Sequence, residues 1–426
     1  MHAQELLEAL RAGRFDGRLR PVYGDKPLAE VYDRIASVVD GFEKNFDAEG
    51  VRELMIFSAP GRTELGGNHT DHQGGWGLAG SVDLDTLACV ARNAEPVIRV
   101  YSKGHDPVEL DVSDNTIREE ERSCSTALVR GIAARIGERG YTVGGFDAYT
   151  ETKVLRGSGL SSSAAFEVLT GEIMNQLSCG GALTSTELAK IGQYAENVYY
   201  GKPCGLLDQM ACATGGAIAI DFADPQDPVV QSCKVDFARE GYALVVIDSG
   251  ANHSDLDGEY AAIPREMGEI ARQFGKTRLC EVDEEAFLRE RDKLVSACGE
   301  RPVLRAEHYF AETRRAAAQY EALSRGDFKR FLALVRESGE SSETKLQNVA
   351  LDRPDGDRLL RVIRKARELA GETGAARVHG GGFAGTAQAY VPLAKLDAFV
   401  SGMEAAFGKG RCHIVQIRNV GGVQLI

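Results

Sequence analysis

The chain has 426 residues, of which 43% are hydrophobic and 27% charged, and its formal net charge is -13 at pH 7. This length and composition indicate a globular protein with two or three structural domains and exclude a fibrous or disordered chain. The acidic balance argues against a protein that binds nucleic acid or a membrane surface, whereas a small charged substrate is compatible with it. We therefore expect neither a nucleic-acid nor a membrane partner.

Cysteine usage and the amino terminus predict a cytoplasmic protein. The nine cysteines include no Cys-x-x-Cys pair, which favours a reducing compartment over a disulfide framework or a zinc site. Residues 1–13 are charged and amphipathic without an apolar signal core, and no apolar run reaches the length of a membrane span. We expect a monomer or a weak homo-oligomer.

The front half of the chain alternates helical and strand-like patterns. Residues 1 to about 50 are predicted to form two helices around the turn Tyr23 to Pro27 and to cover the outside of a domain. Strands are predicted at 55–58, 86–90, 97–101, 108–112 and 146–150. Helices near 126–139 and 163–177 alternate with these strands, which indicates an α/β or α+β fold.

A domain boundary is predicted near residue 225. Two prolines among polar residues, in Asp-Pro-Gln-Asp-Pro at 224–228, end a strand predicted at 217–222. Beyond them the patterns predict a strand at 242–248, a mainly helical block at 263–369 and paired strands near 386–391 and 413–417. We therefore expect domains at residues 1–225 and 226–426.

The stretch Leu155 to Ala165 is predicted to be a glycine-serine loop that runs into a helix. Gly157 and Gly159 permit a sharp turn and a close approach to a ligand, and the first N–H groups of a helix favour an anion such as phosphate. The stretch contains neither a Walker loop nor a dinucleotide fingerprint. An ordinary N-capped helix after a flexible turn is the alternative.

Residues 59–75 are predicted to form a loop after a strand, because five glycines and a proline interrupt them. Binding groups concentrate in loops that strands position. His69 and His72 could form a metal pair, but no third ligand follows at a convincing spacing, so a loop that hydrogen-bonds a sugar is favoured. Asp71 could accept two vicinal hydroxyls; the alternative is a turn aspartate that bonds to its own backbone.

Two carboxylates stand out between residues 184 and 210. A capping box, Thr184-Ser-Thr-Glu187, opens a helix that is predicted to close at Gly201. Glu196 lies at the edge of the inward face of this helix, where either a metal ion or a buried salt bridge would satisfy it. Asp208 follows in an apolar setting, where desolvation and a nearby arginine would compete over its pKa.

Four segments together resemble the sugar kinases of the GHMP class, and within that class the galactokinase family. Three ordered motifs carry the resemblance: Pro-Gly-Arg…Gly-x-His-Thr-Asp at 60–71, Gly-Leu-Ser-Ser-Ser-Ala-Ala at 159–165 and Gly-Gly-Gly-Phe-Ala-Gly at 380–385. The segment Ala-Glu-x-x-x-x-Gly-x-Pro-Cys-Gly-x-x-Asp-Gln at 195–209 is the fourth. The resemblance spans most of residues 50–425.

The resemblance implies a fold, a reaction and two cofactors. The fold is α+β with two domains, a ribosomal-S5-like amino-terminal domain and a ferredoxin-like carboxy-terminal domain. ATP and the sugar meet between them, and the implied reaction converts galactose to galactose 1-phosphate with Mg²⁺ bound. The implied partner is thus a small-molecule sugar substrate.

The resemblance also implies roles for single residues. Asp208 would lie beside the anomeric hydroxyl and accept its proton, and Arg62 would hold Asp208 ionised and neutralise charge at the reacting oxygen. The implied sugar-binding residues are Asn68, His69, Asp71, Gly205 and Tyr260. The implied ATP-binding residues are Gly157, Ser158, Gly159, Leu160, Ser161, Ser162 and Ser163. The implied magnesium ligands are Ser163 and Glu196.

The departures from the family pattern concentrate where the sugar would be bound. The family has a glutamate before the His-Thr-Asp triplet, and this chain has Asn68. Ile263 and Pro264 replace an arginine pair that usually follows Glu-Tyr, and Gly339 replaces a histidine. An amide can donate to a carboxylate that a glutamate would repel, so galacturonate is an alternative substrate, as is L-arabinose.

Two further alternatives follow from the same motifs. A non-catalytic galactose sensor would lack residues of the phosphate loop, whereas Ser163, Ala164 and Asp208 are present here. A kinase of a non-sugar substrate such as mevalonate or homoserine would lack the His-Thr-Asp and Cys-Gly residues at 69–71 and 204–205. The motifs therefore favour a sugar kinase.

Overall fold

Two β-sheets organise the protein. The computed structural model describes residues 1–154, 159–224, 228–251 and 256–426. In chain order its strands are β1 (Met55–Gly66), β2 (Trp76–Arg92), β3 (Val97–Ser102), β4 (Val108–Asp111), β5 (Phe146–Thr152), β6 (Ala217–Asp221), β7 (Val229–Cys233), β8 (Tyr242–Asp248), β9 (Ala375–His379), β10 (Thr386–Pro392), β11 (Cys412–Val415) and β12 (Val423–Gln424). The larger sheet has the order β12-β1-β2-β5-β3-β4, with β6 and β7 continuing from β2, and the smaller sheet has the order β11-β8-β10-β9.

Helices surround both sheets. They are α1 (Ala3–Arg11), α2 (Asp16–Tyr23), α3 (Leu28–Phe46), α4 (Ser125–Gly137), α5 (Ser162–Ser178), α6 (Ser185–Tyr194), α7 (Leu207–Thr214), α8 (Asp257–Gln273), α9 (Glu284–Arg289), α10 (Arg291–Cys298), α11 (Glu300–Ser324), α12 (Phe328–Ser341), α13 (Arg358–Ala370) and α14 (Leu396–Phe407). A π-helical turn, Ala195–Tyr200, continues α6. Among the helices of the described ranges, none combines the length and apolar content that crossing a bilayer requires.

Both faces of the larger sheet are covered, which explains the long apolar runs of its central strands. In β2, Ala88 and Val90 pack into the core formed with α4–α7, whereas Leu87, Cys89 and Ala91 pack against α1–α3. Successive side chains of a strand point to opposite faces, so a strand buried on both faces loses the alternation of apolar and polar residues. The expectation that the amino-terminal helices cover the outside of a domain is confirmed.

Several predicted elements are confirmed, and three are wrong. The strand at 242–248 and the capping box of Thr184 and Glu187 are present. The amino terminus forms three helices rather than two, because the chain turns at Gly13 with a positive φ of 71°. The strands β10 and β11 do not pair with each other, since β8 lies between them. The predicted domain boundary falls at residues 225–227, outside the described residues, and stays a prediction.

The third error concerns residues 59–66, which form the second half of β1 rather than a loop. Residues 62–64 pair with β2 in register, Arg62 opposite Ser81 and Glu64 opposite Ala79. The pairing with β2 is irregular on either side, between Pro60 and Arg62 and between Glu64 and Gly66. These irregularities accommodate the proline and the glycine in the strand. Pairing with β2 therefore outweighs the local preference of these residues for a turn.

A buried charge network fastens α2 and α3 to the larger sheet. Asp85 of β2 accepts hydrogen bonds from Tyr23 at 2.8 Å and from Ser58 at 2.5 Å. It forms ion pairs with Arg34 at 2.7 Å and with Arg418 at 3.3 Å. Burial alone would raise the pKa of Asp85, but the two guanidinium groups hold that pKa below its usual value. The network joins segments more than 300 residues apart in the chain.

The substitution Asp85→Asn is expected to destabilise the protein, because it leaves the buried charge of Arg418 without its counter-ion. Removing one partner of a buried pair typically costs about 3–5 kcal/mol. Urea unfolding followed by circular dichroism measures the effect as a lower midpoint. The control is Asp40→Asn, which breaks an exposed pair with Lys44 and is expected to change stability by less than about 1 kcal/mol. Equal shifts for the two variants would contradict the prediction.

Candidate active site

A cavity at the junction of the two sheets collects the two expected catalytic residues and four of the five expected sugar-binding residues. We call it the Asp208 cavity. The second half of β1, the turn that follows it, the start of α7 and the glycine loop between β9 and β10 form its walls. Its lining residues are Arg62, Glu64, Gly67, Asn68, His69, Asp71, Cys204, Gly205, Leu207, Asp208, Gly380 and Gly381.

A bidentate ion pair between Asp208 and Arg62 lies at one end of the cavity. Arg62 Nε donates to Asp208 Oδ1 at 2.6 Å, and Arg62 Nη2 donates to Oδ2 at 2.5 Å. Ser161 Oγ also donates to Oδ2, at 2.7 Å, and Arg62 Nη1 donates to the carbonyl oxygen of Gly159. The pair therefore connects β1, α7 and the amino-terminal end of α5.

The surroundings of Asp208 keep it ionised. Burial alone would raise its pKa, but the charge and hydrogen bonds of Arg62 and the hydrogen bond from Ser161 lower the pKa below its usual value. Burial alone would lower the pKa of Arg62, but the charge of Asp208 and its hydrogen bonds to the guanidinium together raise the pKa above its usual value. About a third of the Asp208 side chain is exposed to the cavity. An ionised carboxylate thus faces the space where a ligand would lie.

A second carboxylate, that of Asp71, also lines the cavity. It forms no hydrogen bond or ion pair with any residue in the described part of the chain. Gly205 comes so close that a Cβ atom on it would lie 2.7 Å from Asp71 Oδ2, a distance that real contacts essentially never show. The nearby His69 donates from Nε2 to the carbonyl oxygen of Gly381 at 2.9 Å. Asp71 is therefore free to accept hydrogen bonds from a ligand.

Asn68 is completely buried, and its amide group is already hydrogen-bonded. Its Nδ2 donates to Glu64 Oε1 at 3.1 Å and to the carbonyl oxygen of Gly380 at 2.7 Å. Its Oδ1 accepts from Asn348 Nδ2 at 2.9 Å. Asn68 therefore lies in the cavity wall with both amide hydrogens committed to the protein.

Glu312 holds the turn at residues 67–68 in place. Its carboxylate is fully buried and accepts from the backbone N–H groups of Gly67 and Asn68, from Ser338 and from Arg315. Burial alone would raise the pKa of Glu312, but neighbouring positive charges lower it to about 2. An ionised glutamate on α11 thus fixes the backbone of the cavity wall.

The start of α5 forms the border between the Asp208 cavity and a second cavity. Two of the expected ATP-binding residues, Gly157 and Ser158, lie outside the described residues. Gly159 has a φ of 69°, and a Cβ atom there would lie 3.1 Å from His379. Leu160 is buried, and its carbonyl oxygen accepts from the backbone N–H of Arg62.

We call the second cavity the Phe166 cavity. Its lining residues are Thr86, Ser102, Lys103, His105, Asp106, Val108, Ser125, Leu128, Thr150, Thr152, Ser162, Ser163, Phe166 and Tyr200. Ser162 and Ser163 belong to the first turn of α5, where backbone N–H groups have no partner within the helix. The cavity therefore combines a helix amino terminus with apolar side chains.

Glu196 lies in a buried cluster beside α7. Gln209 Nε2 donates to Glu196 at 2.8 Å and to Glu167 at 2.9 Å, and Lys202 forms an ion pair with Glu196 at 3.0 Å. Burial and the charge of Glu196 raise the pKa of Glu167 well above its usual value. The salt bridge that was the alternative to a metal ion at Glu196 is present. Within the described ranges, no three side chains of the metal-binding types gather at one point.

Tyr260 supports the glycine loop from outside the cavity. Its hydroxyl donates to the carbonyl oxygen of Gly382 at 3.0 Å, and its ring packs edge-on against Phe383. A Cβ atom on Gly381 would lie 2.6 Å from this ring. The role of Tyr260 as a sugar-binding residue stays a prediction.

Sequence reasoning missed three residues that shape the cavity, namely Glu64, Glu312 and Arg377. A loop at residues 59–66, as the glycines and the proline predict, gives Glu64 no defined direction; in a strand, Arg62 and Glu64 fall on the same face. That alternation is a signal that the sequence does carry. Glu312 and Arg377 lie more than 240 residues from the residues that they hold, and no local pattern marks them.

Comparison with known proteins agrees with the motifs. The sequence matches the GHMP kinases N terminal domain over residues 127–216 and the galactokinase galactose-binding signature over residues 40–92. The galactokinase of Streptomyces coelicolor is 31% identical over 365 residues, which cover 84% of this chain and 90% of that protein. The galactokinase of Mannheimia succiniciproducens is 30% identical over 347 residues, which cover 81% of this chain and 87% of that protein.

Solved structures share the fold. The crystal structure of Lactococcus lactis galactokinase complexed with galactose has a TM-score of 0.76 and 25% identity, and the match covers 90% of this chain and 98% of that one. A mevalonate kinase has a TM-score of 0.59 and 14% identity over 85% of this chain and 99% of its own. The predicted α+β fold of the GHMP kinases is thereby confirmed. The protein belongs to the galactokinase family of the GHMP kinases.

Proposed function

We propose that the protein transfers the γ-phosphoryl group of ATP to the anomeric hydroxyl of galactose and so produces galactose 1-phosphate. The observation that carries this proposal is the Asp208–Arg62 ion pair, which joins the Asp208 cavity to the amino-terminal end of α5 through Ser161 and Gly159. Relatives named galactokinase that align over most of the chain support the choice of sugar.

Asp208 and Arg62 would act on the reacting hydroxyl. A sugar hydroxyl is a weak nucleophile until a positioned carboxylate accepts its proton, and Asp208 is ionised to do so. Phosphoryl transfer needs positive charge where negative charge spreads over the phosphate oxygens, and the guanidinium of Arg62 supplies it. The bidentate geometry fixes both groups before the substrates bind.

The ATP phosphates would bind to the backbone N–H groups of the segment that runs into α5. These are the groups of Gly157, Ser158, Gly159, Leu160, Ser161, Ser162 and Ser163. The base and ribose would occupy the Phe166 cavity, because that cavity begins at Ser162 and Ser163 and its walls include the apolar side chains of Val108, Leu128 and Phe166. This arrangement would direct the γ-phosphate towards Asp208, since Ser161, which donates to Asp208, directly precedes Ser162 of the Phe166 cavity.

Mg²⁺ would be held by Ser163 and Glu196. Hydroxyl and carboxylate oxygens are the ligands that this ion prefers. Without the ion, the ammonium of Lys202 lies 3.0 Å from a carboxylate oxygen of Glu196 and balances its charge. About three fifths of the Lys202 side chain is exposed, so it can leave Glu196 when the ion binds. When bound, the ion neutralises charge on the β- and γ-phosphates.

The sugar would lie between the proposed domains, residues 1–225 and 226–426. Asp71 would accept hydrogen bonds from vicinal hydroxyls, because its carboxylate has no protein partner in the described ranges, and Gly205 leaves room for it. Asn68 and His69 would complete the pocket together with the glycine loop at 380–382, which Tyr260 supports from outside the cavity. L-arabinose and galacturonate are the alternative substrates, and a non-catalytic sensor is the alternative of another class.

A coupled kinase assay over galactose, L-arabinose, galacturonate, glucose and N-acetylgalactosamine tests the function. We expect galactose to have the highest kcat/KM.

The variant Asp208→Asn should lose about a hundredfold to ten-thousandfold in kcat, because proton acceptance is lost while the side-chain shape is kept. Arg62→Ala should lose most of its turnover, because the positive charge beside the phosphate oxygens is missing. A cooperative thermal unfolding transition and measurable galactose binding in Asp208→Asn would exclude misfolding, and Asp40→Asn is the active control. Turnover near wild type in Asp208→Asn would refute the mechanism.

Two glycine variants should separate the sugar site from the ATP site. Gly205→Ala forces a Cβ atom against Asp71 and should raise KM for galactose with little change in KM for ATP. Gly159→Ala strains a residue with positive φ beside His379 and should raise KM for ATP more than KM for galactose. Initial rates with each substrate varied in turn give both constants. Gly275→Ala, also at positive φ but with no atom near the added Cβ, controls for strain alone. Reversed effects on the two constants would show that the sites are wrongly assigned.

A further inference from the structure

Glu64 brings a carboxylate into the Asp208 cavity at a place that no sequence motif marked. It lies two residues after Arg62 on β1, within a stretch of regular pairing with β2. Side chains two residues apart in a strand share a face and are separated by about 6.5–7 Å. This separation is about the width of a hexose ring. Glu64 is therefore placed at the far side of a sugar whose reacting hydroxyl lies at Arg62 and Asp208.

The position of Glu64 is held from several directions. Gln388 donates to its carbonyl oxygen at 2.9 Å, and its backbone N–H donates to His379 at 3.3 Å. Arg377, whose side chain is fully buried, forms an ion pair with its carboxylate. A carboxylate fixed to this degree can bind a ligand group without losing further freedom.

Within the described part of the chain, the hydrogen bonds to the Glu64 carboxylate are made at one of its two oxygens. Arg377 Nη2 and Asn68 Nδ2 both donate to Oε1. Oε2 accepts no hydrogen bond from the residues that the structure describes, and Glu64 lines the cavity. One oxygen is thus held by the protein, and the other is available to a ligand.

Asn68 has no hydrogen left for a ligand. An amide group has two N–H hydrogens, and those of Asn68 go to Glu64 and to the carbonyl oxygen of Gly380. The oxygen of the same amide accepts from Asn348, which fixes its orientation. Asn68 therefore acts as a positioning residue for Glu64.

We propose that Glu64, and not Asn68, binds a sugar hydroxyl remote from the reacting one, through Oε2, and that it disfavours sugars with a carboxylate at that place. This inference rests on the proposed sugar kinase function. Burial raises the pKa of Glu64, and the charge of Arg377 opposes part of this rise; the ion pair with Arg377 is the geometric basis for treating Glu64 as a carboxylate. A sugar that lacks the hydroxyl leaves this carboxylate without its partner, and a uronate meets a like charge.

The test compares galactose with its four deoxy analogues, lacking the hydroxyl at position 2, 3, 4 or 6, in the wild type and in Glu64→Gln. We expect one analogue to lose about tenfold to a hundredfold in kcat/KM with the wild type, as for a hydrogen bond to a charged group. In Glu64→Gln that loss should shrink for this analogue only. Galacturonate should be a poorer substrate than galactose for the wild type and should gain relative to galactose in Glu64→Gln. Glu49→Gln, an exposed glutamate outside both cavities, is the control and should behave as wild type.

The outcomes separate this inference from the proposed function. If the wild type phosphorylates no sugar of the series, the proposed function fails. If it phosphorylates galactose but Glu64→Gln lowers kcat/KM by the same factor for galactose and all four analogues, Glu64 is structural and the inference is overturned alone. A wild type that prefers galacturonate overturns it as well. Should Glu64→Gln fold poorly by thermal unfolding, Glu64→Asp keeps the charge for Arg377 and should lose the same single discrimination.

Discussion

The Asp208–Arg62 ion pair is the interaction on which the candidate active site depends. Three separate segments meet at it: β1 through Arg62, α7 through Asp208 and the start of α5 through Ser161 and Gly159. The pair is shielded from bulk water on the side of Arg62, so the charge of each partner stabilises the other against the cost of burial. The same pair keeps Asp208 ionised, which is the state that can accept a proton.

Most of the carboxylates in and behind the cavity walls are paired with an arginine. Glu64 on the wall is paired with Arg377 and Asp208 with Arg62, and Glu312, which supports the wall, is paired with Arg315, so each of these three carboxylates has a guanidinium partner. Asp71 has no such partner within the described ranges, which leaves its full hydrogen-bonding capacity to a ligand. A pocket of this kind suits a neutral ligand rich in hydroxyl groups better than an anion, because an added negative charge finds its possible counter-charges already paired.

The second half of β1 shows how tertiary structure overrides local preference. Proline and glycine at residues 60, 61 and 66 predict a turn, yet β2 on one side and the side chains of His379 and Gln388 of the smaller sheet on the other hold the segment extended. The irregular pairing at each end accommodates these residues, and the regular part between them presents Arg62 and Glu64 to the cavity. The strand is thus both a part of the sheet and a wall of the site.

The sequence by itself determined the features that are local in the chain. Short segments of the sequence predict the helix α5, the capping box of α6, the glycine loops and the motif residues Arg62, Asp71 and Asp208. These segments were sufficient to identify the family. Only the tertiary structure decided which of these side chains meet. Glu64 contacts Arg377 across 313 residues, Glu312 reaches Gly67 across 245, and Asn68 bonds to Asn348 across 280. Contacts of this range depend on how two sheets pack together, and neither propensity nor periodicity within a segment contains that information.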